Sequence, residues 1–133
     1  MLDKVERTEA EWRELLSPEQ YYVLRGKGTE RPFQNEYDEL FEPGVYYCAA
    51  CDLELFESET KFNSGCGWPA FYAAKAEDRV QLTADQSHGM QRVEVTCARC
   101  DSHLGHIFND APTTPTGQRY CINSVSLKFV PKE

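Results

Sequence analysis

The sequence lacks several features that would place it in particular protein classes. No apolar run approaches the roughly 20 residues of a membrane-spanning helix. Positive charge is scarce, because 14 Lys and Arg stand against 22 Asp and Glu for a formal net charge of −8. Nucleic acids and anionic membranes bind basic surfaces, so neither is expected as a main partner. Residues 1–7 mix both charges and lack the apolar stretch of a secretory signal, which predicts a cytoplasmic protein.

The chain also lacks internal repeats, low-complexity tracts and any linker that would divide it. Its 133 residues fit one domain of ordinary size, and a hydrophobic share of 41% is enough to build a core. We therefore expect a single domain over residues 1–133. The patterns described next divide it into a helical N-terminal part over residues 1–42 and a β core over residues 43–130.

Two short helices are predicted near the N-terminus. Residues 8–11 have the Thr-x-x-Glu spacing of a capping box, and residues 17–20 repeat the signal with proline at the first helical position. Trp12, Leu15 and Leu16 would form the apolar stripe of the first helix. We expect both helices to pack outside the core, away from the functional residues.

From residue 43 onward the apolar period changes to two, which predicts strands. The predicted strands cover residues 45–48, 53–56, 80–83, 93–96 and a last segment near 120–130. Turn residues at 85–89 predict an antiparallel hairpin between the third and fourth of these. In the last strand, Val125, Leu127 and Phe129 would share one face. The pattern predicts a mostly β domain.

Four of the six cysteines form two CxxC pairs, Cys48 with Cys51 and Cys97 with Cys100. Six cysteines are too few for a small disulfide scaffold, and clustered cysteines in a reducing compartment indicate metal or redox chemistry. Two CxxC turns supply the four thiolates of a tetrahedral structural zinc site, whose binding energy counts as folding energy. The alternatives are redox dithiols, buried inert cysteines or an iron site. The βαβ context of a thioredoxin-type CxxC is missing from the pattern.

The fifth cysteine, Cys121, follows Arg119 and precedes Asn123 on a predicted strand, so all three side chains share a face. A guanidinium beside a thiol favours the reactive thiolate. Taken alone, this stretch still favours an inert core cysteine.

Two histidines, His103 and His106, follow the second CxxC pair. Side chains three residues apart point to opposite faces of a regular strand, so the two share a site only if Gly105 bends the chain. An imidazole can donate a proton near neutral pH. On spacing alone, a spare metal ligand or a surface position is an equally good interpretation.

The sixth cysteine, Cys66, lies between two glycines in a loop that continues into Trp68 and Phe71. A thiol on such a loop could reach a second thiol once that thiol is oxidised, and the two aromatic rings could wall a pocket. Aromatic residues in a loop more often extend the core.

Taken together, these segments strongly resemble the B-type methionine sulfoxide reductases, which reduce methionine-R-sulfoxide. The matching stretches are residues 44–51, 61–69, 97–106 and 117–124, in the family's order. The joint match is specific, whereas a single CxxC would be weak. The resemblance implies two antiparallel sheets, one structural zinc ion per chain bound by the four CxxC cysteines away from the active site, and thioredoxin as reductant. A monomer is expected.

The resemblance also implies roles for individual residues. By matching position, Cys121 is the nucleophile and Cys66 the resolving thiol. His103, His106 and Asn123 are polar active-site residues, Arg119 and Asp110 a charged pair beside the thiolate, and Trp68 the wall for the substrate's methyl group. We expect Phe71 and Phe108 to line the substrate pocket as well. The implied reaction passes through a sulfenic acid on Cys121 and a Cys66–Cys121 disulfide, which thioredoxin would reduce. Oxidised proteins are the implied substrates, as in protein repair under oxidative stress.

Two other function classes remain open. A zinc-binding module without activity would explain the four CxxC cysteines but not Cys66, Cys121 and the two histidines. A general thiol–disulfide oxidoreductase would use a CxxC as its redox pair.

Overall fold

The computed structural model describes residues 4–29, 37, 40–63, 66–86 and 89–131. Residues 87 and 88 of the predicted turn, and most of residues 31–39, lie outside this part. Two helices and nine strands make up the described fold, with short 3-10 turns between some of them.

Both predicted helices form where the capping signals place them, as α1 (Glu9–Leu15) and α2 (Pro18–Leu24). Thr8 Oγ1 accepts a hydrogen bond from the Glu11 amide at 3.2 Å, and Glu11 Oε1 accepts one from the Thr8 amide at 2.8 Å. Trp12 is buried as predicted, but Leu15 is 57% exposed, so it does not belong to the apolar stripe. Neither helix in the described residues is long and apolar enough to span a membrane.

The strands form two antiparallel sheets, as expected. They are β1 (Gly44–Cys48), β2 (Glu54–Glu57), β3 (Lys61–Phe62), β4 (Ala70–Phe71), β5 (Val80–Asp85), β6 (Arg92–Cys97), β7 (His103–Phe108), β8 (Arg119–Ile122) and β9 (Leu127–Pro131). The small sheet has the order β2-β1-β9, and the large sheet has the order β3-β4-β8-β7-β6-β5. The predicted hairpin is β5 with β6, and it pairs in register from Val80 with Cys97 to Asp85 with Arg92.

The prediction of one last strand near residues 120–130 is wrong. A 3-10 turn at Ser124–Ser126 breaks the chain after β8, and β9 then joins the small sheet beside β1. Cys121 and Leu127 therefore belong to different sheets. The continuous apolar face predicted through Val125 does not form, because the turn redirects the backbone.

Aromatic side chains fill the space between the two sheets. Phe56 of the small sheet stacks on Phe71 of the large one with ring centroids 4.5 Å apart, and it meets Tyr120 edge-on at 5.6 Å. Tyr46 approaches Phe71 at 5.1 Å. Such pairs stabilise by about 0.5–1.5 kcal/mol each beyond their buried area. They hold one face of β4 and β8 in the core, which leaves the other face, with Cys121, for the site.

Candidate active site and metal centre

A cavity of about 450 Å³ lies over the face of the large sheet that points away from the aromatic core. Its lining includes both lone thiols and both predicted histidines. The described lining residues are Lys27, Gly28, Thr29, Cys66, Trp68, Met90, Arg92, His103, Gly105, His106, Phe108, Arg119, Cys121 and Asn123. The pairing of β7 with β8 explains much of this set, because His106 lies opposite Cys121 and Phe108 lies opposite Arg119. Directly paired residues project to the same face of a sheet.

The two lone cysteines contact each other inside this cavity. Their Sγ atoms are 3.3 Å apart, and the Cys66 thiol also donates to the Trp68 carbonyl oxygen at 3.3 Å. The contact with Cys66, together with burial, raises the pKa of the Cys121 thiol, whereas the nearby Arg119 guanidinium acts in the opposite direction. Since a disulfide bond is about 2.05 Å long, the two sulfur atoms would have to approach by only about 1.3 Å to form one.

Arg119 is held by two partners at the cavity wall. Its Nε and Nη2 donate to the two carboxylate oxygens of Asp110, both at 2.9 Å. Its guanidinium also lies over the Phe108 ring at 4.5 Å from the centroid. The guanidinium lowers the pKa of Asp110 through these hydrogen bonds. A bidentate pair of this kind fixes the orientation of the guanidinium beside Cys121.

A shift in strand register brings the two histidines to one side of β7. Val95 of β6 pairs with Gly105 while the next residue, Thr96, pairs with His103, so β7 carries one extra residue at this point. His103 and His106 consequently both line the cavity, with ring centroids 5.5 Å apart. The bend at Gly105 that a shared site requires is present. A Cβ at this glycine would lie 2.0 Å from the Cys121 carbonyl oxygen, so the two strands approach closely there.

Two carboxylates that the sequence analysis did not select hold these histidines. Glu94 Oε2 is 2.8 Å from Nδ1 of His103, and Asp85 Oδ2 is 2.7 Å from Nε2 of His106. Burial lowers the pKa of His103, although the hydrogen bond to Glu94 acts against that shift. Neither carboxylate had a sequence signal, because the alternation along the predicted hairpin placed Glu94 on the polar face and Asp85 was taken for a turn residue. Asp85 is the buried last residue of β5.

The segment after α2 also reaches the cavity, whereas none of the described lining residues belongs to α1 or α2. Thr29 Oγ1 donates to Asn123 Oδ1 at 3.0 Å, and Lys27 Nζ lies 3.2 Å from Glu94 Oε1. The side-chain amide nitrogen of Asn123, Nδ2, in turn donates to the Leu104 carbonyl oxygen at 3.0 Å. The sequence analysis missed Lys27 and Thr29 because these residues belong to no periodic helix or strand pattern.

The three predicted aromatic pocket residues separate into two groups. Trp68 and Phe108 line the cavity. Phe71 does not, because it pairs with Tyr120 on β8 and is completely buried in the core. Its neighbour Ala70 pairs with Cys121 and takes the cavity face instead. Alternation on the two-residue strand β4 turns Phe71 away from the substrate side.

The four CxxC cysteines form a separate cluster that could hold a metal ion. Their Sγ atoms all lie within 4.8 Å of one another, with Cys48 to Cys100 at 3.7 Å and Cys51 to Cys97 at 3.5 Å. Zinc–sulfur bonds of about 2.3 Å in a tetrahedron place sulfur atoms about 3.8 Å apart, so the set fits a zinc ion. None of these four cysteines lines the cavity around Cys121.

The two CxxC turns have the same backbone geometry. The Asp52 amide donates to the Cys48 carbonyl oxygen at 2.8 Å, and the Asp101 amide donates to that of Cys97 at 2.9 Å. Both aspartates adopt the left-handed backbone conformation, with φ of 64° and 63°. Aspartate tolerates this conformation better than most residues. Equivalent turns from two sheets thus present two thiols each to one point.

Comparison with known proteins gives a consistent result. The SelR domain family matches residues 16–131. Curated proteins named peptide methionine sulfoxide reductase MsrB are similar over almost the whole chain. That of Pseudomonas syringae pv. syringae is 56% identical over 98% of this chain and 99% of its own length. That of Methanosarcina mazei is 58% identical over 98% and 93%, and that of Chromohalobacter salexigens is 56% identical over 100% of both.

A solved structure supports the fold at a greater distance. The crystal structure of the Mis18 Yippee-like domain superposes with a TM-score of 0.55 at 20% sequence identity, covering 69% of this chain and 99% of that one. At this identity the similarity concerns the fold alone.

Proposed function

Since the chain belongs to the B-type peptide methionine (R)-sulfoxide reductases, we propose that Cys121 is its nucleophile and Cys66 its resolving thiol. The observation that carries this proposal is the 3.3 Å contact between the two Sγ atoms in a cavity that both histidines line. A nucleophile, a proton donor and a second thiol are then within reach of one substrate sulfur.

In the first step, the Cys121 thiolate attacks the sulfoxide sulfur. The sulfur–oxygen bond of the substrate breaks as its oxygen is transferred to Cys121, and His106, with His103 beside it, supplies the proton that the oxygen needs. Methionine leaves and Cys121 becomes a sulfenic acid, so the enzyme sulfur is oxidised by the two electrons that the substrate gains. Arg119, fixed by Asp110, favours the thiolate before attack.

In the second step, the Cys66 thiol attacks the Cys121 sulfenic acid and water leaves. The product is a Cys66–Cys121 disulfide. A dithiol of the thioredoxin class then reduces it by exchange and becomes a disulfide itself. The carbonyl oxygen of Trp68 accepts from the Cys66 thiol at 3.3 Å, which orients that sulfur in the reduced state.

Substrate selection follows from the two kinds of cavity wall. Trp68 and Phe108 offer apolar surfaces for the methyl group, whereas Asn123 and the histidines offer polar groups for the oxygen. A chiral sulfur between such walls binds productively in one configuration. We propose oxidised proteins as the main substrates, a cytoplasmic location and action as a monomer.

We assign the four CxxC cysteines to one zinc ion per chain, with a structural role. A bound ion would hold the two CxxC turns together. The cavity around Cys121 is lined by other residues. This assignment also argues against a CxxC as the redox pair, since all four thiols would be ligands.

The test of the thiol roles is a single-turnover assay on the zinc-loaded chain with resolved epimers of methionine sulfoxide. We expect the wild type to reduce only the R epimer. Cys66→Ser should still release about one methionine per enzyme and accumulate a sulfenic acid, but fail to recycle with thioredoxin. Cys121→Ser should release none, because a hydroxyl is a weak nucleophile without a strong base.

Two outcomes would contradict this mechanism. Methionine release by Cys121→Ser would overturn the nucleophile assignment. Full thioredoxin-dependent turnover by Cys66→Ser would require a different resolving thiol.

A further inference from the structure

We propose that Glu94 and Asp85 are positioning residues that fix His103 and His106 in opposite tautomers. The inference rests on the proposed function, because it concerns the proton donors of the same cavity. It is carried by a difference in geometry between the two pairs. Glu94 meets His103 at Nδ1, whereas Asp85 meets His106 at Nε2.

The two carboxylates are well placed to select a tautomer. Their side chains are only 9% and 5% exposed, at 2.8 and 2.7 Å from the ring nitrogens. An ionised carboxylate can only accept hydrogen bonds, so the ring nitrogen that faces it must carry the proton. A neutral His103 is therefore the Nδ1–H tautomer, and a neutral His106 is the Nε2–H tautomer.

A cation lies beside each of the two carboxylates. Lys27 lies 3.2 Å from the second carboxylate oxygen of Glu94. Arg92 lies 3.7 Å from Asp85. Each imidazole thus stands at the end of a cation–carboxylate–imidazole chain that starts from a different part of the fold. The segment after α2 provides Lys27, and β6 provides Arg92.

The arrangement leaves one nitrogen of each ring for the cavity. Within the described part of the chain, no hydrogen bond engages Nε2 of His103 or Nδ1 of His106. Both rings line the cavity in front of Cys121. The free nitrogen is basic in the neutral ring and becomes a proton donor in the imidazolium, which the neighbouring carboxylate stabilises. The carboxylates thereby act on the reaction without touching the substrate.

The charged and titratable groups around the two rings come from several elements. They are Glu94 and Arg92 on β6, Asp85 on β5, Lys27 after α2, Cys121 and Arg119 on β8, Asp110 after β7, and Cys66 in its loop. Of these, only Glu94 and Asp85 make direct hydrogen bonds to the imidazoles among the described residues. Removing their negative charge should therefore have the largest effect on imidazole protonation.

The first measurement needs no variant. Long-range ¹⁵N–¹H NMR on the reduced, zinc-loaded wild type reports which ring nitrogen is protonated. In the neutral rings, we expect His103 as the Nδ1–H form and His106 as the Nε2–H form. The same tautomer on both histidines would overturn the inference.

The second measurement uses Glu94→Gln and Asp85→Asn, with Glu54→Gln as the matched control. Glu54 is a strand carboxylate that pairs with Lys75 outside the cavity. Each cavity variant should slow methionine release by at least about tenfold in single turnover. The substrate concentration that gives half of the maximal rate should stay similar to that of the wild type. For Glu94→Gln, the limb of the pH–rate profile that falls with rising pH should move to lower pH, because the His103 imidazolium loses the carboxylate that raises its pKa.

The control should keep the wild-type rate and profile. Cavity variants that keep both, with intact zinc content and melting temperature, would overturn the inference. Failure of the proposed function is distinguishable from this, since the wild type would then release no methionine while the tautomer measurement still decides the role of the two carboxylates.

Discussion

Cys121 has two neighbours with opposite effects on its thiol. Contact with Cys66 at 3.3 Å raises the pKa of Cys121, and Arg119 works to lower it. A reactive thiolate is therefore favoured when Cys66 is removed from the contact.

This balance predicts opposite results from two substitutions. Cys66→Ala should lower the pKa of Cys121, because the largest contribution that raises it is gone. Arg119→Met should raise the pKa further, because the thiolate loses its neighbouring cation. The rate of alkylation of Cys121 as a function of pH, with the zinc cysteines protected by metal, measures both values. A shift of the same sign in both variants would contradict the assigned balance.

The sequence motifs predicted most of the residues that the structure brings together in the cavity. Cys66, Cys121 and the two histidines were predicted from the four motifs taken together, because each stretch alone left other interpretations open. Glu94 was missed because a glutamate on an alternating strand reads as a solvent-facing position. Its carboxylate contacts His103 of β7 and Lys27 after α2, and neither contact is local.

At the scale of elements, the position of β7 against β8 aligns the histidines with Cys121. Gly105 makes this possible, since any Cβ there would lie 2.0 Å from the Cys121 carbonyl oxygen. The extra residue in β7 and the close approach occur at the same place. The bend that turns His103 toward the cavity therefore depends on a residue without a side chain.

Gly105→Ala should separate β7 from β8 and slow methionine release strongly. Overpacking of this kind typically lowers the free energy of unfolding by about 1–3 kcal/mol, which urea unfolding would measure. Gly117→Ala is the matched control. Its φ of +72° gives strain but its Cβ would meet nothing within 4 Å, and a left-handed alanine costs about 1–2 kcal/mol. Both variants should lose stability, and only Gly105→Ala should lose the single-turnover rate. Equal rates in the two variants would contradict the role assigned to Gly105.

Elements with local causes were predictable, and those with tertiary causes were not. The capping boxes of α1 and α2 are complete within four residues, so the sequence contains all of their partners. The break at Ser124–Ser126 has no such local signal, because it arises where the chain passes from the large sheet to the small one. The alternation of apolar residues continues across that turn, so the sequence pattern predicts a single strand.

Across the whole molecule, the cysteine cluster joins the two sheets at their ends. Cys48 ends β1 of the small sheet, and Cys97 ends β6 of the large one. The N-terminal part packs on the second CxxC turn, where Val5 donates to the Arg99 carbonyl oxygen at 2.7 Å and Arg25 to that of Cys100 at 2.7 Å. A metal ion bound here would thus connect both sheets and the N-terminal part at one point.

Replacing Cys48 or Cys97 by Ser should therefore remove the metal and destabilise the entire domain at once. Metal-binding energy at such a site is folding energy, so we expect the melting temperature to fall by at least about 10 °C. Cys66→Ser is the matched control, since it removes a thiol outside the cluster and should retain one zinc ion per chain. Elemental analysis and calorimetry on the same samples measure both effects. A metal-free variant that melts with the wild type would show that the two sheets are held together by the aromatic core alone, and the structural role of the ion would have to be abandoned.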